Sequence, residues 1–67
     1  MEVFVARLNE LIKENGISHD KLAQDLSVNM QTVNLWTQGA KYPKASYLYK
    51  LAVYFDVSAD YLLGLEN

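Results

Sequence analysis

The amino-acid sequence predicts an all-α fold, a compact bundle of about five short helices, and three features carry that expectation. Apolar residues recur at helical spacing in one short segment after another. Ser or Asn starts three of these segments and Gly ends three. No segment shows the sustained alternation of apolar and polar residues that marks a strand.

Phe4, Leu8, Leu11 and Ile12 line one face of the first helix. Gly16 ends it, since glycine accepts the left-handed conformation just past a helix end. Ser18 opens the second helix by offering its hydroxyl to the free amides, and Asp20 stands in the first turn, where the helix dipole favours an anion. Leu22, Ala23 and Leu26 form that helix's inward face. Ser27 and Val28 interrupt, and Asn29 caps a third helix, residues 30–38, with Val33 and Trp36 inward as a core pair and Gly39 as its stop. In the loop 40–44, Pro43 disfavours helix at Tyr42 and is expected at the front of the fourth helix. That helix turns Leu48, Leu51, Ala52 and Phe55 inward. Ser58 caps a fifth, with Val57 and Leu62 placed as a hydrophobic staple, and Gly64 closes it.

Composition bounds the function. A chain of 67 residues forms one small domain, which buries only about 60% of the surface its unfolded form exposes. Hydrophobic residues at 51% and charged residues at 21% indicate a globular chain. The absence of cysteine removes disulfides, thiolate zinc sites and thiol nucleophiles, and leans towards an intracellular setting. His19, the lone histidine, cannot build a multi-histidine metal site. With so little to do chemistry with, no enzyme, metal, cofactor or small-molecule ligand is expected. The start lacks a signal peptide and no apolar run reaches membrane-spanning length, so a cytoplasmic protein without membrane contact is expected. Any second domain of a longer protein would begin just after Gly64.

Charge is unevenly spread. The net charge is −2, yet residues 26–55 contain no acid and carry Lys41, Lys44 and Lys50. Both flanks are acidic. A surface facing phosphate would be sought in that window.

The second and third helices must cross steeply over a short turn, which needs a small residue at their contact, and Ala23 supplies it. The outward face of the third helix is then Met30, Gln31, Asn34, Leu35 and Gln38, neutral and rich in amides that both donate and accept. The five tyrosines read mainly as structure. Tyr47 and Tyr54 flank the inward stripe of the fourth helix and Tyr61 fits the core side of the fifth. Tyr49 and Val53 lie on the outer side, where with Leu63 and Leu65 they would form a dimer patch or docking surface.

From Arg7-Leu8 to Gly64 the chain resembles the helix-turn-helix family of phage repressors, Cro proteins and related bacterial regulators of the xenobiotic-response-element type. The residues that carry the resemblance are Ile17-Ser18 leading into Leu22-Ala23, Val33 followed by Trp36 and Gly39, Pro43, Leu51-Ala52, and the closing Val57-Ser58-Ala59-Asp60-Tyr61-Leu62-Leu63-Gly64. The resemblance implies a lambda-repressor-like fold with the helix-turn-helix in the second and third helices. It makes residues 1–67 one DNA-binding domain, a whole regulator or the N-terminal headpiece of one. It further implies a repressor that binds double-stranded DNA as a homodimer on an inverted-repeat operator, with the third helix in the major groove. Carried over by position, Met30, Gln31, Asn34 and Leu35 would face bases. Gln31 and Asn34 are the better readers, because a carboxamide pairs bidentately with adenine N6 and N7. Met30 and Leu35 would pack on thymine methyls, which points to an A·T-leaning half-site. His19, Asn29, Gln38, Lys41 and Lys44 would hold phosphates. The reading from another functional class is a module of the same fold that docks a partner protein through the third helix or the fourth and fifth.

The sequence departs from the family's usual pattern in three ways. Ser27 stands where glycine is common, a cost on the order of 1 kcal/mol if that residue is left-handed. Ile12 and Thr37 replace a frequent arginine–glutamate pair together, and such a double loss is self-consistent because neither charge is left alone. No arginine follows Arg7 and the third helix has no cation, so the electrostatic share of any DNA affinity is expected to be small.

Overall fold

Phe4, Leu8, Leu11 and Ile12 all point inward from the first helix, α1 (Glu2–Glu14), as the spacing predicts. The computed structural model describes residues 2–66, and four further helices follow: α2 (His19–Leu26), α3 (Met30–Gln38), α4 (Ala45–Phe55) and α5 (Ala59–Leu63). No strand occurs among the described residues. None of these helices is long and apolar enough to cross a membrane. The core joins the four residues of α1 to Leu22, Ala23 and Leu26 of α2, Val33 and Trp36 of α3, Leu51, Ala52 and Phe55 of α4, and Leu62 of α5. Among the described residues no charged side chain is buried with them, so apolar burial holds the core.

Local chemistry sets the helix boundaries. Ser18 Oγ accepts from the Lys21 amide at 3.0 Å, Asn29 Oδ1 from the Thr32 amide at 2.8 Å, and Ser58 Oγ from the Tyr61 amide at 2.9 Å. Each cap satisfies an amide that has no partner within the helix. The helix ends are closed by left-handed residues at Ser27, Gly39, Asp56 and Gly64. After α2, the Val28 amide donates to the Ala23 carbonyl at 3.0 Å and the Ser27 amide to that of Gln24 at 3.2 Å, a paired closure that turns the chain sharply into Asn29. Ser27 therefore occupies the left-handed region, φ 58°, without being glycine. Gly64 must stay small for a second reason: a Cβ there would lie 2.8 Å from Val3 Cγ1.

One expectation needs correction. Pro43 does not open α4. Lys44 is the cap residue, its carbonyl taking the amides of Tyr47 at 3.0 Å and Leu48 at 2.9 Å, and Pro43 precedes it in the loop. In the loop, Tyr42 packs edge-on against Phe4, with ring centroids 6.0 Å apart. Leu48 is half-buried: it packs against the core, as expected, and also lines a shallow groove between α4 and α5.

The missing ion pair leaves no gap. Ile12 is in the core, and the Thr37 hydroxyl donates to the Asn34 carbonyl at 3.0 Å. Asn9 now bridges α1 to α3, its Nδ2 donating to the Thr37 carbonyl at 3.0 Å and to that of Val5 at 2.9 Å.

Candidate nucleic-acid interface

α2 and α3 pack on each other more extensively than any other pair of helices, with Ala23 buried between the core side chains. This fixes which face of α3 stays outside. Met30, at its first position, is 47% exposed, and Gln31 and Gln38 are also exposed. Asn34 and Leu35 are half-buried. The face expected from the sequence is thus the free one, but its five members are not equivalent.

Leu35 turns towards the following loop. It lines a pocket of about 280 Å³ with Thr32, Trp36, Lys41, Tyr42, Pro43, Lys44 and Tyr47. Its carbonyl accepts from the Ala40 amide at 3.0 Å and the Lys41 amide at 3.3 Å, which pins the start of the loop to the C-terminal end of α3. Lys41 and Lys44 are exposed on this loop, beside the free face of α3.

His19 Nδ1 donates to Asn34 Oδ1 at 2.7 Å. The carboxamide oxygen can only accept, so the proton in this bond sits on Nδ1. One expected phosphate holder and one expected base reader are therefore partners of each other. Asn29 is also engaged: its Oδ1 accepts from the Thr32 amide and, at 2.9 Å, from the Thr32 hydroxyl. Its Nδ2 is the group left to point at a phosphate.

Lys50 was not singled out by position in the family pattern. Its ammonium lies 5.1 Å from the centroid of the Tyr47 ring, and that of Lys44 lies 5.6 Å from the same ring. Tyr47 in turn packs on Trp36, with centroids 5.8 Å apart. One aromatic stack thus joins the core of α3 to two cations. The acid-free window was the sequence signal for Lys50, and helical spacing from Tyr47 would have placed it beside that ring.

Arg7 belongs to the scaffold. Its Nη1 donates to the Tyr61 and Glu66 carbonyls, the second at 2.7 Å, and its guanidinium lies over the Tyr61 ring at 4.2 Å. Between α4 and α2, Tyr54 donates to Asp25 Oδ2 at 2.6 Å, and Lys21 pairs with the same carboxylate at 3.2 Å. The Tyr54 hydroxyl, with help from Lys21, holds the Asp25 carboxyl below its ordinary range, and Asp25 raises the Tyr54 phenol above its own. Tyr49 and Val53 are exposed, as expected, and flank the groove between α4 and α5, but Leu63 and Leu65 do not line it.

Among the described residues, no group of three His, Asp or Glu side chains is placed to hold a metal ion. No curated relative matches the chain. A helix-turn-helix domain model matches residues 6–67. The crystal structure of a transcriptional regulator from Listeria innocua is similar over 96% of this chain, with 34% identity and a TM-score of 0.88. The match spans 60% of that regulator's length. An exposed third helix seated on a capped second one and the matched family model agree: the chain belongs to the helix-turn-helix domain family and is an all-α DNA-binding domain of that family.

Proposed function

We propose that residues 1–67 form the reading domain of a cytoplasmic repressor that binds double-stranded DNA as a homodimer on an inverted-repeat operator. The observation that carries this reading is the uncharged, amide-bearing face of α3 held beside the exposed lysines of the next loop and helix. In that arrangement α3 enters the major groove from its N-terminal end. Met30 and Gln31 reach furthest, with Asn34 and Leu35 behind them. Gln31 has no intramolecular partner among the described side chains and keeps both halves of its carboxamide for a base. Lys41, Lys44 and Lys50 meet the phosphates on one side, and His19, Asn29 and Gln38 stand at the ends of α2 and α3. With Nδ1 committed to Asn34, the His19 ring donates to a phosphate through Nε2 only as the imidazolium.

The test is selection from random duplex DNA at low salt by two copies of the chain joined by a flexible linker, which raises the effective concentration of the second site. Enrichment of an inverted repeat with half-sites about one helical turn apart supports the reading. A folded tandem protein that enriches nothing overturns it in favour of a partner-docking module, for which the exposed Tyr49 and Val53 speak.

A further inference from the structure

We propose that the pocket between α3 and the loop 40–44 is an effector site for a small aromatic carboxylate, of one or two rings, whose binding competes with DNA. The competition rests on the DNA-reading assignment above; the site itself does not.

The pocket holds about 280 Å³, room for one or two fused rings and less than a larger cofactor needs. Its walls include Leu35, Trp36, Tyr42 and Tyr47, apolar and aromatic surfaces against which a planar ring packs edge-on or offset. Little is left among them to recognise a sugar or a peptide. The Leu35 carbonyl already takes the amides of Ala40 and Lys41, and the Thr32 hydroxyl is spent on Asn29 Oδ1.

Donors for an anion are present instead. Trp36 is only 2% exposed, and its indole N–H has no hydrogen-bond partner among the described residues. None of their fully buried side-chain nitrogen or oxygen atoms lacks a partner, so the sliver of Trp36 that stays accessible includes this N–H. The opening that Trp36 lines is the pocket. A nearly buried donor without a protein acceptor suits a charged oxygen. Lys41 and Lys44 line the same pocket, and neither pairs with a carboxylate among the described residues. The Lys44 ammonium is held over the Tyr47 ring, 5.6 Å from its centroid. Every lining residue falls in the acid-free stretch 26–55, so no carboxylate in the wall repels that of the ligand. A bound carboxylate accepts from the indole N–H and occupies ammonium groups that the DNA reading gives to phosphates. The expectation of no small-molecule ligand, drawn from chain length, is set aside by this hollow.

The experiment titrates the isotope-labelled chain with benzoate and with naphthoate at constant ionic strength. Nuclear magnetic resonance follows the indole signal of Trp36, the one tryptophan, and the amides of Ala40 and Lys41. Acetate carries the charge without a ring, and benzamide the ring without a charge. Both aromatic carboxylates should saturate with Kd of about 1 mM or lower, at least about tenfold tighter than either control. Trp36→Phe should weaken naphthoate by about tenfold, the loss of one hydrogen bond to a charged group. Lys41→Ala and Lys44→Ala should weaken it by about threefold each, and they decide the matter if Trp36→Phe does not fold. No saturation by either carboxylate overturns the site. So does acetate or benzamide binding as well as benzoate, which would reduce the pocket to exposed lysines or to apolar surface alone. On a duplex recovered by the selection above, naphthoate should weaken binding in proportion to its occupancy, and acetate should not. A duplex held equally well at saturating naphthoate overturns the competition and leaves the DNA reading standing. Saturable naphthoate binding by a chain that enriches no duplex removes the DNA reading and leaves the site.

Discussion

The guanidinium of Arg7 stacks on the ring of Tyr61, 4.2 Å from its centroid, while donating to the Tyr61 carbonyl and to that of Glu66. α1 and α5 are thereby clasped at the end of the chain, where the five-residue α5 has little stability of its own.

Arg7→Ala should lower the unfolding free energy by about 1–3 kcal/mol, because it removes a cation–π contact and two charge-assisted hydrogen bonds together. Arg7→Lys should recover only part of the loss, since an ammonium cannot stack and bridge two carbonyls as a planar fork does. Urea unfolding at unchanged m-value is the measurement. A loss under about 0.5 kcal/mol would mark the clasp as incidental.

Ser27 and Asp56 both hold left-handed backbone, φ 58° and 56°, at closures where glycine would be unstrained. Ser27→Gly should raise stability by about 0.5–1 kcal/mol after the added freedom of the unfolded chain is discounted. Asp56→Gly should gain less, because aspartate tolerates this region better than serine. In a domain this size the serine change should lift Tm by about 2–8 °C. A fall in Tm would mean that the Ser27 side chain contributes a contact worth more than the strain.

Most of the fold was legible because its determinants are local. Ser18, Asn29 and Ser58 cap the helices that follow them within three residues, and the stripe of α1 can be read from the spacing of Phe4, Leu8, Leu11 and Ile12. What escaped were pairs that only tertiary packing creates. Arg7 finds Tyr61 54 positions away, and Tyr54 finds Asp25 29 away. Nothing in the periodicity of α2 and α3 reveals that His19 and Asn34 meet, so the sequence treats as a separate phosphate holder and base reader what is one bonded pair. Pro43 precedes the cap residue Lys44, a displacement of two residues from the first helical position that local chemistry leaves open.

The Tyr54–Asp25 bond ties α4 to α2 and gives stability a dependence on pH at both extremes. Asp25 titrates lower in the folded protein than in the unfolded chain, so its contribution is present above about pH 4 and is lost as pH falls through the folded value. Tyr54 titrates higher when folded, so its contribution is present below about pH 10 and is lost as pH rises through the folded value. Tyr54→Phe should therefore be less stable than wild type by a constant amount between those limits, with the gap closing beyond each. The Lys21 pairing should leave a smaller acid-side effect in the variant. Urea midpoints across the pH range decide it, and a gap that persists unchanged in strong acid would show that the lost stability comes from elsewhere.

Lys41, Lys44 and Lys50 provide the cleanest separation of grip from reading. Two of them share the Tyr47 ring and the third is anchored through its amide to Leu35. Each lysine that neutralises a phosphate should contribute about 0.9 to the slope of log K against log salt concentration. Lys41→Ala, Lys44→Ala and Lys50→Ala should each flatten that slope by about this amount per half-site and weaken all sequences alike. Gln31→Ala should do the opposite, leaving the slope intact and relaxing the choice at one base pair, at a cost of about 1–3 kcal/mol on the preferred site. The two classes are distinguished by titrating one selected duplex and one scrambled duplex at several salt concentrations. If Lys50→Ala leaves the slope unchanged while Lys44→Ala lowers it, the Tyr47 ring is holding Lys50 away from the backbone, and the phosphate path runs along the loop alone.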